Sequence, residues 1–361
     1  ERIPRSYSTQ MQVMINTLND IRTSDKQISG THGIGVLMAN SLMFQRFPDH
    51  NGYDDPQFSS FYGQTLPLLK RGIPVELVHM ENTPFKDTFN GLQVLVMSYS
   101  NMKPMKSEYH NYLADWVKKG GTLVYCGEDV DPYQTVLEWW NTEGNAYKAP
   151  SEHLFEAMGL SRNPGDGTYR FGKGTVIVMR EDPKHFVLKG GNDRKYFETI
   201  ASAYESKTGK KIEIKNNFMV ERGPYTIAAV MDESSSKEPL KLSGLYIDLF
   251  DKDLPVLTVK QINPGEQGYL YDLNKVSGKV KAKVLCGASR IYDEKVGKQS
   301  YSFVAKSPLH TTNVSRVLLP RKPEKVLVNG KAEQPEWDES SKTLLLSFEN
   351  DPAGVNVSIE W

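Results

Sequence analysis

The chain has 361 residues, with 44 basic against 44 acidic side chains, 39% apolar residues and two cysteines. Zero net charge removes any global electrostatic case for nucleic acid or an anionic membrane, and no apolar run reaches the roughly 20 residues of a membrane helix. Two cysteines, Cys126 and Cys286, exclude a disulfide-stapled scaffold and a Cys-rich zinc site, and the length predicts two or three domains.

Residues 11–21 read as a helix. Gly33 to Met38 is a short apolar run, the pattern of a buried parallel strand. A polar, Pro- and Gly-containing stretch follows over 46–56. Phe58, Phe61, Tyr62, Thr65 and Leu69 then fall on one face of a helix that Gly72 stops. Pro74 to Met80 and Leu92 to Met97 read as the next two strands. Tyr109, Tyr112, Leu113, Trp116 and Val117 mark a helix ended by Gly120 and Gly121, and Thr122 to Cys126 is a fourth strand. One short helix is expected to carry Val136, Leu137 and Trp140. Another is expected to start with Ser151 as its cap and stop at Gly159. Gly174 to Met179 reads as a further strand, with a closing helix on Phe197, Ile200, Ala201 and Tyr204.

Strands separated by helices of this length pair in parallel through right-handed crossovers. The expected fold is therefore an α/β three-layer flavodoxin-like domain with a mostly parallel sheet. After about residue 210 helical periodicity gives way to short β-rich runs punctuated by turn residues, among them Asn263-Pro264-Gly265, Asn329-Gly330 and Asp351 to Gly354. An all-β sandwich domain is expected there. The expected boundaries are 1–30 for an N-terminal connecting helix, 31–210 for the α/β domain and 211–361 for the sandwich.

In an open parallel sheet, ligands bind outside the carboxyl ends of the strands. The candidate cleft is therefore Asn40 and Ser41 after the first strand, Glu81 and Asn82 after the second, Ser98, Tyr99 and Asn101 after the third, and Glu128, Asp129 and Asp131 after the fourth. Of the adjacent pair Trp139-Trp140, one can be core and the other exposed to stack on a sugar ring or a partner protein, and Trp140 is added to the candidate cleft. These groups can hydrogen-bond sugar hydroxyls; the opposing reading is ordinary loop polarity. Glu128, Asp129 and Asp131 could also serve in acid–base chemistry. No G-x-G-x-x-G opens a helix and no P-loop is present, so no nucleotide cofactor is expected. One acidic loop offers too few converging ligands for a metal. Cys126 sits where a nucleophile could end a strand. Val124 and Glu128 replace the small residues that a nucleophile elbow needs, which favours a buried structural thiol.

The stretches Leu69 to Glu76, Val94 to Met97 and Leu113 to Val124, with their helix, Gly-Gly-Thr, strand signature, resemble the class I glutamine amidotransferase-like domain. That domain follows the catalytic barrel in multidomain glycoside hydrolases such as the family 42 β-galactosidases, where it is the trimerisation domain. Lys325 to Lys331, Trp337-Asp338 and Lys342 to Leu346 resemble the terminal sandwich of such enzymes. The resemblance implies a non-catalytic accessory or oligomerisation region of a carbohydrate-active enzyme, with both catalytic carboxylates on an absent barrel. It also implies a secreted or periplasmic setting and a homo-oligomer, and it lets this region wall a glycan cleft. A start at Glu1 without Met or signal peptide fits a processed chain or a piece of a larger one. Two alternatives stand beside it: a stand-alone sugar-binding protein using the strand-end loops, and a hydrolase or transferase acting through Glu128, Asp129 or Cys126.

Overall fold

Val94-Leu95-Val96-Met97 is buried along its whole length because successive strand side chains point to opposite faces and both faces are covered. In the computed structural model, which describes residues 4–21, 26–44, 58–188, 190, 192–276, 278 and 281–361, Leu95 and Met97 join one apolar cluster with Leu113 and Phe155. Val94 and Val96 join a second, with Leu68, Tyr196 and Ile200. The polar stretch expected over 46–56 lies outside the described residues.

The chain divides into two compact units. One falls within residues 1–29, 217–233 and 237–361; the other comprises 30–216 with 234–236. In chain order, helix α1 (Arg5–Asp20) and strand β1 (Lys26–Ile28) open the first unit. The second unit holds β2 (Ile34–Met38), α2 (Ser59–Leu69), β3 (Glu76–His79), β4 (Val94–Met97), α3 (Glu108–Lys118), β5 (Thr122–Cys126), α4 (Pro150–Ala157), β6 (Gly167–Phe171), β7 (Gly174–Met179), α5 (His185–Leu188) and α6 (Arg194–Thr208). Its sheet has the order β3-β2-β4-β5-β7-β6. The first five strands pair in parallel, and β6 runs antiparallel to β7. Between them Gly172 turns at φ 57°, in the left-handed region that glycine adopts freely.

The remaining strands belong to the first unit. Strands β8 (Asn217–Arg222), β9 (Tyr225–Val230), β10 (Leu240–Asp248), β11 (Val256–Ile262) and β12 (Gln267–Asp272) join β1 in an antiparallel sheet of order β1-β8-β9-β12-β10-β11. Two further sheets are built from β13 (Lys283–Gly287), β14 (Arg290–Val296), β15 (Ser300–Lys306), β16 (Thr312–Leu318), β17 (Lys325–Val328), β18 (Lys331–Glu333), β19 (Glu336–Asp338), β20 (Thr343–Glu349) and β21 (Val355–Glu360). Their orders are β13-β16-β20-β19 and β14-β15-β21-β17-β18, and they share one apolar core that includes Phe303, Val317, Leu344 and Val357. Asn329 and Gly330, both at positive φ, form the two-residue hairpin loop that brings Val328 opposite Lys331. Helix α1 buries Thr9, Val13 and Thr17, four residues apart, and packs on β13 and β16.

The expected α/β three-layer flavodoxin-like domain with a mostly parallel sheet, followed by an all-β sandwich, is overturned as a description of this chain. The described residues hold 21 strands against six α-helices. Three of the four sheets are antiparallel, and the fourth is mixed because of β6. Two local expectations also change. The helix expected to carry Val136, Leu137 and Trp140 is a single 3-10 turn, Pro132–Thr135. Val136 and Leu137 are 40% and 80% exposed and give no apolar face to bury. Helix α4 begins at Pro150 with Ala149 as its cap, two residues ahead of the expected cap Ser151, because proline suits the first helical position.

Candidate functional site

The carboxyl ends of β2, β3, β4 and β5 bring the predicted residues together along one edge. After β2, the Asn40 backbone N–H donates to Glu81 Oε1 at 2.9 Å, which ties the β2 exit to the β3 exit. Glu81 Oε2 is buried without a hydrogen-bond partner among the described residues. Asn40 and Asn82 are exposed. Ser41 is spent on backbone: its Oγ accepts from Lys103 N at 2.8 Å and donates to Lys103 O at 2.6 Å.

Beyond β4, Ser98 is fully buried and its Oγ accepts from Ser100 N. Asn101 stands at φ 58° and its side chain donates to Ser60 Oγ at 3.3 Å. Tyr99 is also fully buried. Its hydroxyl meets His110 Nε2 at 2.6 Å, and His110 Nδ1 meets His153 Nδ1 at 2.8 Å. With both imidazoles neutral, two arrangements satisfy the chain: Tyr99 O–H donates to His110 Nε2 and His110 Nδ1–H to His153 Nδ1, or His153 Nδ1–H donates to His110 Nδ1 and His110 Nε2–H to the Tyr99 hydroxyl. Burial, reinforced by the Asp129 charge, pushes the Tyr99 hydroxyl well above its usual range. Burial and then His153 hold His110 well below the ordinary histidine value. Burial likewise lowers His153, with Glu156 opposing. Trp139 packs edge-on to both rings, 5.6 Å and 5.3 Å between centroids.

After β5, the acids part ways. Asp129, at φ 59°, accepts from Ser151 Oγ at 2.7 Å, from Arg180 Nη1 at 2.7 Å and from the Tyr125 hydroxyl. Asp131 receives Lys103 Nζ at 2.8 Å and caps the following 3-10 turn through Tyr133 N at 3.1 Å. Both members of that pair are buried, at 10% and 3% side-chain exposure. Glu128 is exposed and makes no hydrogen bond or ion pair among the described residues. Trp140, expected in the candidate cleft, is 2% exposed and donates Nε1 to Gln134 O, whereas Trp139 is half-buried. Cys126 is buried beside Met179, and burial followed by the Glu181 charge pushes its thiol far above the range of a thiolate nucleophile.

Lys103, His110, His153 and Arg180 complete these networks and were not among the predicted site residues. For His110 a signal existed: it shares a buried helix face with Leu113, Ala114 and Val117 at i, i+3, i+4 and i+7. Among the described residues no group of three or more His, Cys, Asp or Glu could hold a metal ion, and no helix is long and apolar enough to cross a membrane.

No family model matches this chain, and no curated protein matches it. Among solved structures, a β-galactosidase from Bacillus circulans sp. alkalophilus is similar at 12% identity over 73% of this chain and 43% of its own length, with a TM-score of 0.43. A catalytic mutant of Gan42B, a GH42 β-galactosidase from G. stearothermophilus, is similar at 12% identity over 67% of this chain and 40% of its own, with a TM-score of 0.40. A rhamnosidase from Novosphingobium sp. PP1Y is similar at 12% identity over 90% and 34%, with a TM-score of 0.32. The chain thus spans less than half the length of each of these structures.

Proposed function

We propose that this chain is a non-catalytic accessory region of a carbohydrate-active enzyme, in which the carboxyl edge of the mixed sheet walls a glycan site. The observation that carries the reading is that three of the four carboxylates at this edge, all but the exposed Glu128, are committed internally. Asp131 is held by buried Lys103, Asp129 by Arg180, Tyr125 and Ser151, and Glu81 by the Asn40 backbone. A general acid or base must be free to exchange a proton with a bound substrate, and a carboxylate locked to a buried cation is not. Asn40, Asn82 and Glu128 remain exposed at neighbouring strand ends, with donors and acceptors suited to sugar hydroxyls. The sequence resemblance adds self-association of the trimerisation-domain type, which sedimentation of the chain would reveal as a species larger than a monomer.

Calorimetry of the whole chain against neutral galacto- and gluco-oligosaccharides tests the reading. The expected result is binding heat that Glu128→Ala and Asn82→Ala each reduce at least tenfold in affinity, with no release of nitrophenol from nitrophenyl glycosides. Turnover of such a glycoside that Glu128→Gln abolishes, or no heat with any oligosaccharide, would overturn it.

A further inference from the structure

A second groove, of about 770 Å³, lies in the same unit between α6 and the β6–β7 hairpin. It arises because the sheet outruns its cover. Helix α6 packs over β4 and β5, while the sheet continues through β7 to β6. The floor is made by Thr168, Arg170, Thr175 and Ile177, which the register sets opposite one another across β6 and β7. The wall is the flank of α6 carrying Lys195, Thr199, Ser202 and Ser206. From Lys195 to Lys207 that wall spans roughly 18 Å at about 1.5 Å per helical residue, room for an oligomer rather than a lone small ion.

The two ends of the groove differ in charge. At one end Lys195 faces Asp166 at 3.6 Å and Glu198 is held by Arg194 at 2.8 Å, so cations and acids balance. At the other end Lys173 and Lys207 flank Gly120, and Arg170 lines the same groove with Nη1 3.5 Å from Thr175 Oγ1; none of the three has a carboxylate partner among the described residues. The Lys207 ammonium lies 3.2 Å from where a Cβ on Gly120 would stand, and the Lys173 Cβ 3.9 Å from it, so both flank the same glycine. Gly120 takes φ +124°, which other residues rarely adopt. Three uncompensated cations around an open pocket form a field that an anion relieves, and Arg170 adds a planar fork suited to oxyanions.

We infer that this groove binds an acidic glycan, with its hydroxyls along the Thr- and Ser-lined trough and a sulfate or carboxylate group among Arg170, Lys173 and Lys207. The anion site stands on the geometry alone, whereas the glycan nature of the ligand rests on the accessory role proposed above.

The test titrates the whole chain with a sulfated cello-oligosaccharide, its unsulfated parent, an oligouronate and inorganic sulfate. The sulfated or the uronate oligomer, or both, should bind at least tenfold more tightly than the unsulfated parent and than inorganic sulfate, and which of them does so names the anion. The Arg170→Gln/Lys207→Gln variant should lose at least tenfold for that oligomer while keeping the parent's melting temperature, since both changes are at the surface. Lys331→Gln, a charge change in the other unit, should leave this affinity unchanged. Equal binding of charged and uncharged oligomers, inorganic sulfate binding as tightly as the oligomers, or an unaltered Arg170→Gln/Lys207→Gln variant would each overturn the inference. Loss of neutral-glycan heat alone would strike the strand-end reading and leave this one standing.

Discussion

The Tyr99, His110 and His153 chain shows how burial sets chemistry residue by residue. His110 is wholly enclosed, and a proton added to it would face a second imidazole 2.8 Å away. The groups around the pair are Tyr99, Tyr125 and Asp129 at the strand ends, Trp139 and Tyr147 in the loop, and Glu152 and Glu156 on α4. Folding lowers both histidines below the unfolded value, so the unfolded chain takes up protons first as the pH falls through about 6.5. Stability is then complete above that pH and is lost below it. Thermal melts should show a midpoint that drops between about pH 7 and pH 5, and His110→Gln/His153→Gln should flatten the drop. An identical pH slope in that variant would show that other groups carry it. Reading the sequence named Tyr99, Asp129 and Asp131 as candidates but not their hydrogen-bond and ion-pair partners Lys103, His110, His153 and Arg180. The reason is spacing: Arg180 meets Asp129 across 51 residues and His153 meets His110 across 43, so no local period reveals them.

At the scale of elements, apolar runs and helical spacing located the strands of the mixed sheet, because a strand buried on both faces writes itself as a continuous run. β6 was missed: Gly167–Phe171 is a five-residue edge strand whose alternation rests on only two aromatic residues, Tyr169 and Phe171, too short a pattern to stand out. The second half announced strands and turns, but partition into one six-stranded sheet and two packed sheets depends on pairing between distant strands, so a single sandwich was expected. Close helix packing was equally hidden. Gly63 lies inside α2, where glycine normally costs about 1 kcal/mol relative to alanine. A Cβ there would stand 1.8 Å from the Pro183 carbonyl oxygen, in the segment leading into α5. Gly63→Ala should therefore destabilise, by about 1–3 kcal/mol in urea denaturation, against its helix propensity. A gain in stability would mean that α5 yields without cost.

For the molecule as a whole, the chain leaves one unit after Ser29 and re-enters it at Asn217, so the 30–216 unit is an insertion between two paired strands. The backbone N–H of Ser29 donates to Met219 O at 2.9 Å, which holds the two crossing points side by side. An insertion whose ends meet carries its own core and is independent of the host for closure. Residues 30–216 expressed alone should unfold in one cooperative transition, with coincident near- and far-UV circular dichroism. A sloping, non-cooperative melt would show that the host supplies part of its core.

The β1–β8 pairing also sets a timetable. Ser29 and Met219 are 190 residues apart. At about 5–20 residues per second of ribosomal synthesis, β1 waits on the order of 10–40 s for its partner to be made. A nascent strand left that long is a template for wrong pairing. Lys26-Gln27-Ile28 is three residues long and mostly polar, so it offers stray chains little to hold during the delay.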